Sequence, residues 1–358
     1  MERKERIYVC HTFYHTYITA LKELNLPPER RGGATLVLSR MSNDFGNLKE
    51  RAEQCGLFER VVEFDEKSAD FFPQLAKYRK DRGNIVVNML ARIRYTKLLG
   101  RLQEPYVPVD FKEYKDIYVF CDSDPIGYYL SYKKIYYHAL EDGLDCIRHY
   151  DTARYDNRGH FEIKARLSAM NLIFIQNGYG KYCLDMEVNN IACLQWPCAK
   201  YIEKPRKELV NGVKEGDKEL LIDLFMENPK ELLEQVKQAA PGKEKLLILT
   251  EPLCDLATRE RIFRDIIARY GEGKEVFLKP HPRDVLDYEK LFGDYIVLRG
   301  RFPMEIMNFL PGIRWKQVIS VLTVCDGITN AEEVLFLGRD FLDEYEDPAI
   351  HRQNEAIY

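Results

Sequence analysis

The chain has 358 residues, of which 46% are hydrophobic and 31% charged, and this length predicts two globular domains rather than one small core. The formal net charge of −4 excludes a general nucleic-acid-binding surface, so any attraction to anions has to be local. Nine irregularly spaced cysteines without a C-x-x-C pair, no apolar signal-peptide segment and no apolar run of membrane-spanning length together favour a cytosolic protein with reduced thiols.

Strand-like and helix-like segments alternate in the first half of the chain. Runs of apolar and β-branched residues predict strands at 6–10, 34–39, 61–64, 116–122, 134–142 and 171–177. Helical spacing of apolar residues predicts helices at 13–24, 45–55, 69–80 and from Pro125 onwards, whereas 84–88 fits either a strand or the start of a helix. This alternation predicts a parallel, doubly wound sheet.

A charge-rich segment that begins at residue 201, followed by an amphipathic helix, marks a change of composition. We therefore predict an amino-terminal domain at 1–200 and a carboxyl-terminal domain at 201–358. The second domain is predicted to contain strands at 245–250, 275–279, 294–299 and 315–324 and helices at 257–270, 285–292, 303–310 and 331–342. The expected fold class is α/β, with two doubly wound, Rossmann-like domains facing a central cleft, as in the GT-B arrangement.

Two adjacent carboxylates, Glu141 and Asp142, follow a predicted strand and precede Gly143. Neighbouring like charges and partial burial at a strand end raise the pKa of a carboxylate, which suits a general base that removes a hydroxyl proton. The alternative is an Asp-Gly turn that only ends the strand.

One histidine, His281, stands between two prolines at the end of the predicted strand 275–279, two residues after Lys279. A histidine at a rigid strand end is suited to donating a hydrogen bond to a phosphate or protonating a leaving group near neutral pH. The alternative is a histidine in a proline-rich loop that caps the following helix. The remaining histidines, including His11 and His15, have no comparable framing, and no H-x-x-H or H-E-x-x-H pattern predicts a metal site.

Three further segments place polar side chains at predicted strand or helix ends. Ser320 and Thr323 lie late in the last apolar strand, where hydroxyls and backbone amides bind anions or, alternatively, satisfy only the backbone. Glu251 and Asp255 follow the first strand of the second domain; either is a second carboxylate for the site, or Asp255 caps the helix at 257–270. Glu305 begins a helix, where it interacts with the helix dipole or accepts hydrogen bonds from sugar hydroxyls. Walker A and G-x-G-x-x-G patterns are absent, which disfavours ATP- or NAD-dependent chemistry.

A basic run of Arg92, Arg94, Lys97 and Arg101 lines one face of a predicted helix. Such a run is usually a solvated face. The alternative is a surface that meets anionic lipid or a charged acceptor glycan.

The motifs L-E-D-G at 140–143 and F-L-K-P-H-P at 277–282, with the hydroxyl-bearing strand downstream, form an ordered set. The set resembles the bacterial sialyltransferases, and most of all glycosyltransferase family 52, which contains lipooligosaccharide and capsule sialyltransferases. The F-P-x-E and T-E-P-L elements are also similar to that family. Polysialyltransferases and teichoic-acid glycerophosphotransferases share a version of the histidine motif.

The resemblance implies an inverting, metal-independent transfer of N-acetylneuraminic acid from CMP-Neu5Ac to a galactoside hydroxyl of a surface glycan, with no further cofactor. It implies that His281 contacts the CMP phosphate as general acid and that Lys279 helps to neutralise it. Ser320 and Thr323 would bind the same phosphate, although the contiguous serine pair of the family is missing. Glu305 would approach the cytidine ribose.

The resemblance leaves two positions for the base that deprotonates the acceptor. One is Asp255, which we favour slightly at this stage, and the other is the acidic motif of Glu141 and Asp142. Alternative functions are transfer from another CMP- or CDP-linked donor, such as Kdo or glycerol phosphate, and nucleotide or glycan binding without catalysis. The expected partners are CMP-sialic acid and a glycan or glycolipid acceptor, without nucleic acid.

Three expectations concern the whole molecule. The protein is expected in the cytoplasm, with peripheral association at the inner face of the membrane as an option. A homodimer is an open alternative to a monomer. The helix predicted at 331–342 is a candidate to return to the amino-terminal domain.

Overall fold

The computed structural model describes residues 3–120, 122–143, 145–148, 159–238, 242–282, 284–298, 300–323, 325 and 327–349. The chain divides into two compact units between Lys214 and Glu215.

The first unit contains a seven-stranded sheet with the order β3-β2-β1-β4-β5-β6-β7, in which every neighbouring pair is parallel. Its strands are β1 (Lys4–Cys10), β2 (Ala34–Ser39), β3 (Phe58–Phe64), β4 (Tyr114–Phe120), β5 (Tyr137–Leu140), β6 (Cys183–Val188) and β7 (Tyr201–Glu203). Ile7, Val9 and Val119 are fully buried in its centre, as expected for a sheet covered on both faces.

The helices of the first unit connect these parallel strands. They are α1 (Phe13–Leu24), α2 (Leu48–Gln54), α3 (Ala76–Arg79), α4 (Ile85–Gln103), α5 (Pro125–Lys133), α6 (Asp145–Arg148), α7 (Phe161–Ala169) and α8 (Arg206–Asn211), with 3₁₀ turns at Pro28–Arg30, Ala69–Phe71, Pro73–Leu75, Glu104–Tyr106 and Phe111–Glu113. The Asn84 side chain accepts hydrogen bonds from the amides of Val86 and Val87 at 3.0 and 3.2 Å. This N-cap makes 84–88 the start of a helix and not a strand.

The second unit contains a five-stranded sheet with the order β10-β9-β8-β11-β12, again parallel throughout. Its strands are β8 (Lys245–Leu249), β9 (Glu275–Lys279), β10 (Ile296–Val297), β11 (Trp315–Ser320) and β12 (Ala331–Phe336). Its helices are α9 (Glu215–Phe225), α10 (Pro229–Gln238), α11 (Leu256–Tyr270), α12 (Tyr288–Leu291) and α13 (Arg339–Leu342), with a 3₁₀ helix at Met304–Phe309. Two parallel sheets with helical connections confirm the predicted α/β class.

Two predictions confuse a strand with another type of structure. The segment 171–177 is not a strand: Asn171 and Asn177 have φ values of 59° and 58°, so the chain turns at both ends of the segment. Its apolar residues are nevertheless buried, because Ile173 and Ile175 pack against Phe161 of α7. The sixth strand is β6 instead.

The predicted terminal helix at 331–342 is the second error, because its first half is strand β12. The strand pairs with β11 along its whole length, and cross-strand contacts support the register: Lys316 lies 3.1 Å from Glu332, and Gln317 donates to Glu333 at 3.0 Å. Gly338, with φ of 77°, separates the strand from the short helix α13.

The division between the units also lies later than residue 200. Strand β7 pairs with β6 in the first sheet, and the Asn25 side chain at the end of α1 donates to the Leu209 carbonyl of α8 at 2.9 Å. The segment 201–211 therefore completes the first unit, although its charged composition resembles a linker.

Among the described residues, no helix combines the length and the apolar character that a membrane span needs.

Candidate active site

Most of the predicted catalytic and donor-site residues of the second unit lie at one edge of its sheet. Strands β9, β8 and β11 are neighbours and parallel, so their carboxyl ends and the loops that follow lie side by side. Lys279 ends β9, Ser320 ends β11, and Asp255 and His281 lie in the loops after β8 and β9. The strand ends therefore bring together residues that are up to 65 positions apart in the sequence (320 − 255).

The backbone of His281 is fixed on both sides. Its N–H donates to the Thr250 hydroxyl at 3.2 Å, and its carbonyl accepts from the Asp284 amide at 2.9 Å. The side chain is half-buried. The structure thus places the predicted histidine at a rigid strand end, in a turn that is hydrogen-bonded to the residue directly after β8.

A buried arginine holds the loops after β8 and β9 together. Arg259 donates to the carbonyls of Leu253 and Cys254 at 2.7 and 2.9 Å and forms an ion pair with Asp284 at 2.5 Å. Both members of the pair are buried, with side chains 7% and 0% exposed. Removal of either partner would leave an uncompensated buried charge, so this clamp fixes the position of the histidine turn.

Lys279 and Glu305 are two oppositely charged residues of this edge whose pKa values are both strongly shifted. The Lys279 ammonium lies 4.0 Å from the centre of the Phe302 ring and donates to the Pro280 carbonyl at 2.7 Å. Burial lowers the pKa of Lys279 to about 7 and raises the pKa of Glu305 to about 7. A Cβ atom on Gly327 would lie 2.8 Å from the Glu305 side chain, so only glycine permits this approach. Two groups that change charge near neutral pH therefore lie at the predicted nucleotide site.

The Ser320 hydroxyl is used within its own loop. It is buried and donates to the Thr323 carbonyl at 2.7 Å, while the Cys325 thiol donates to Ser320 at 3.0 Å. The nearby amides of Leu322 and Thr323 both donate to the buried Glu251 carboxylate, at distances of 2.6–3.1 Å. The protein's own carboxylate thus fills the backbone anion site that the sequence predicts at this strand end.

Asp255 caps helix α11. Its carboxylate accepts from the amide and the hydroxyl of Thr258 at 2.9 and 3.0 Å. These hydrogen bonds hold the pKa of Asp255 below its ordinary value. The side chain is exposed, and the geometry is that of an N-cap.

The two carboxylates of the acidic motif in the first unit differ in their surroundings. Glu141 is buried, accepts from the Asn189 amide at 2.6 Å, and burial raises its pKa. It ties β5 to the loop after β6. Asp142 is 39% exposed and is hydrogen-bonded to Nε2 of His15. Asp142 is therefore the exposed carboxylate of the two, and its hydrogen bond with His15 holds it in place.

His15 is itself held in one orientation. It is fully buried, it stacks on Phe120 at 4.3 Å between ring centres, and its Nδ1 accepts from the His11 amide at 3.0 Å. An accepting Nδ1 leaves the ring proton on Nε2, where it is donated to Asp142. Burial lowers the pKa of His15, in keeping with a neutral ring. The imidazole therefore orients the Asp142 carboxylate.

A second histidine–carboxylate group lies beside the first. Nε2 of His11 is 2.8 Å from Glu66 and 3.4 Å from Asp124. Burial alone would lower the pKa of His11, but the two carboxylates raise it overall. Burial also raises the pKa of Asp124 to about 7. Glu66 further accepts from the Ser39 hydroxyl at 2.6 Å and from the Ile126 amide of α5 at 2.7 Å, so this group is built into the sheet edge.

This histidine–carboxylate cluster lies where the winding of the first sheet reverses. The chain proceeds outward from β1 through β2 to β3 on one side and from β4 to β7 on the other, and ligands of such sheets bind at that reversal. His11, His15, Glu66 and Asp124 were not predicted as site residues. The signal in the sequence was a pair of histidines four positions apart directly after the first strand. The turn into α1 brings their ring centres to 6.0 Å.

Among the described residues, no group of three or more His, Cys, Asp or Glu side chains has the geometry to hold a metal ion.

Comparison with known proteins places this geometry in context. The model of glycosyltransferase family 52 matches residues 84–324, about two thirds of the chain. An uncharacterized protein of Haemophilus influenzae is 30% identical over 100 residues, which make up 26% of this chain and 32% of that protein. The match thus spans about a third of the relative's length.

Two solved structures resemble the whole chain. An α/β-galactoside α-2,3-sialyltransferase of Photobacterium phosphoreum has a TM-score of 0.54 at 13% identity, over 94% of this chain and 91% of that one. The GT-B domain of a Photobacterium damselae sialyltransferase has a TM-score of 0.50 at 11% identity, over 92% and 89% of the two chains. At these identities the likeness concerns the fold, and the predicted GT-B fold is confirmed.

Proposed function

Because the chain belongs to glycosyltransferase family 52, we propose that it is an inverting, metal-independent sialyltransferase. It transfers N-acetylneuraminic acid from CMP-Neu5Ac to a galactoside hydroxyl of a surface glycan, such as a lipooligosaccharide or a capsule polysaccharide. The observation that carries the proposal is the fixed His281 turn, two residues after the buried Lys279, at the carboxyl edge of the second sheet.

The donor phosphate is bound at this edge. A group whose pKa lies near 7, as burial arranges for Lys279, gains a proton and a positive charge when an anion approaches. His281 donates a proton or a hydrogen bond to the departing phosphate. Glu305 accepts from the ribose hydroxyls. Thr323, half-buried, is the more accessible hydroxyl, whereas Ser320 holds its loop together.

The reaction is a direct displacement. The acceptor oxygen forms a bond to the anomeric carbon while the bond from that carbon to the CMP phosphate oxygen breaks, so the configuration inverts. The acceptor proton passes to a carboxylate, and the electron pair leaves with CMP. The positive charge that develops on the sugar is offset by its own carboxylate, which lowers the need for a metal ion.

We assign the base to Asp142 and revise the slight preference for Asp255 drawn from the sequence. Both oxygens of Asp255 are engaged by Thr258, and its lowered pKa makes it a weaker base. Asp142 is partly exposed and is oriented by a neutral His15, the arrangement expected of a group that accepts a proton from a bound hydroxyl.

The proposal is tested by incubating the protein with CMP-Neu5Ac and lactose and following CMP and sialyl-lactose by NMR, with and without EDTA. CMP-Kdo and CDP-glycerol, tested in parallel, identify a different donor. His281→Ala is the inactive control. Transfer from CMP-Neu5Ac that survives EDTA supports the proposal. Transfer from another donor alone, or CMP binding without turnover on any acceptor, would overturn it.

A further inference from the structure

Helix α4 has an unusual distribution of charge. Its 19 residues include four basic side chains and no acidic one, in a chain whose net charge is −4. Residues 86, 90, 94, 97 and 101 are spaced by four, four, three and four positions, so they share one face of the helix. All five are exposed. In helix order they are Val86, Leu90, Arg94, Lys97 and Arg101, and we call this surface the α4 face.

The first turns of the helix also expose large aliphatic side chains. Ile85, Val86 and Leu90 are 63%, 64% and 53% exposed. An adjacent side of the same turns is covered, because Met89 and Ile93 pack against the cluster around Phe161 of α7. Helix α4 is therefore anchored to the first unit on one side and presents aliphatic residues to solvent on the next.

The aliphatic end of α4 extends past the sheet edge that carries the histidine–carboxylate cluster. The rings of Tyr95 in α4 and Tyr128 in α5 are 6.2 Å apart, and Glu104 pairs with Lys133 at 2.6 Å, so the two helices run in the same direction. Helix α5 begins at Pro125, directly after the carboxyl end of β4. The ten residue-to-residue steps from Ile85 to Tyr95 span about 15 Å of helix. Most of that length lies beyond the start of α5.

We propose that the α4 face docks on an anionic lipid membrane. Exposed aliphatic residues at the start of the helix can enter the boundary between headgroups and acyl chains. The cations further along the same face can bind anionic headgroups. Complementary charge selects this occupant, because α4 offers only cations. The docking would hold the carboxyl edge of the first sheet towards the membrane, and it goes beyond the proposed glycosyl transfer.

The full-length protein is mixed with phosphatidylcholine vesicles, with or without phosphatidylglycerol, and the bound fraction is measured by flotation. Binding is expected with the anionic vesicles only and weakens at high salt. The variant R94Q/K97Q/R101Q binds about 100-fold less tightly, since each basic residue near an anionic surface contributes roughly five-fold. The variant V86S/L90S loses about 10-fold.

The matched control is R60Q/K112Q/R314Q, which removes the same charge from exposed positions elsewhere and keeps wild-type binding. Thermal unfolding verifies that each variant is folded. Equal binding to neutral vesicles, no binding to either, or equal losses in the control and the R94Q/K97Q/R101Q variant would each overturn the proposal. It is also overturned if sedimentation shows a wild-type dimer that V86S/L90S converts to monomer without any vesicle binding, because the occupant is then a second copy of the chain.

Discussion

Replacement of Asp142 by asparagine removes the proposed base and leaves its surroundings intact. The asparagine carbonyl oxygen accepts the same hydrogen bond from Nε2 of His15, and the side chain has the same size, so folding is preserved. What is lost is the ability to take the acceptor proton. Loss of a general base costs about 10²–10⁴-fold in kcat/KM, which corresponds to about 3–5 kcal/mol of transition-state stabilisation.

The comparison variants are D255N and D255A. Asparagine caps a helix about as well as aspartate does, so D255N removes the carboxylate and keeps the hydrogen bond from the Thr258 amide. We expect D255N to retain wild-type activity and Tm. Alanine cannot cap α11, so D255A should lower Tm by a few degrees, while its activity at low temperature should equal that of the wild type.

The assay is initial-rate formation of sialyl-lactose from CMP-Neu5Ac, with Tm of each variant measured alongside. Loss of activity in D142N with a normal Tm, together with an active D255N, supports Asp142 as the base. The opposite pattern, an inactive D255N and an active D142N, refutes the assignment and places the base on the loop after β8. CMP binding by calorimetry in both variants separates a lost base from a lost donor site.

Three further predictions concern the second unit. The variant H281A should lose ~2–4 kcal/mol of transition-state stabilisation at an unchanged Tm, and unchanged kcat/KM would remove His281 from the mechanism. Burial lowers the pKa of Lys279 to about 7, so the residue loses its proton as pH rises through that value, and CMP affinity should fall about 10-fold per pH unit above 7. Calorimetry in buffers of different ionisation enthalpy detects the proton that is taken up on CMP binding. The variant K279M should abolish both the pH dependence and the proton uptake. The variant R259M should reduce the free energy of unfolding in urea by about 3–5 kcal/mol, because the Asp284 carboxylate stays buried without its partner; a loss below about 1 kcal/mol contradicts a structural clamp.

The sequence predicted the fold where local pattern and tertiary context agree. Parallel strands such as β1, β2 and β9 are short apolar runs between turn residues, so their burial and conformation can be predicted from the local sequence alone. At 171–177 the apolar run is equally buried, but the turns at Asn171 and Asn177 make it a packed loop. Strand β12 was missed because its glutamates suit a helix, while its conformation depends on pairing with β11.

Some residues of the candidate site could be predicted from the local sequence, and others could not. His281 carries its own signal, since two prolines frame it in the sequence. His15 is marked in the sequence only by its spacing of four from His11. That spacing does not identify its partner Asp142, which is 127 positions away and meets His15 only when β1 and β5 lie in the same sheet. Asp255 resembled a base by position in the sequence, and only the hydrogen bonds from Thr258 identify it as a cap.

The hydrogen bonds of Glu251 limit how the proposed donor site of the second unit can bind a phosphate. Backbone amides at a strand end bind anions at any ordinary pH, because they do not titrate. Here the amides of Leu322 and Thr323 already donate hydrogen bonds to the Glu251 carboxylate. Burial raises the pKa of that carboxylate. The proposed phosphate site therefore does not use these two amides and relies on side chains, and the charge of one of them, Lys279, changes near pH 7. For this reason donor affinity in this chain should depend on pH far more strongly than in a protein that binds phosphate through free backbone amides.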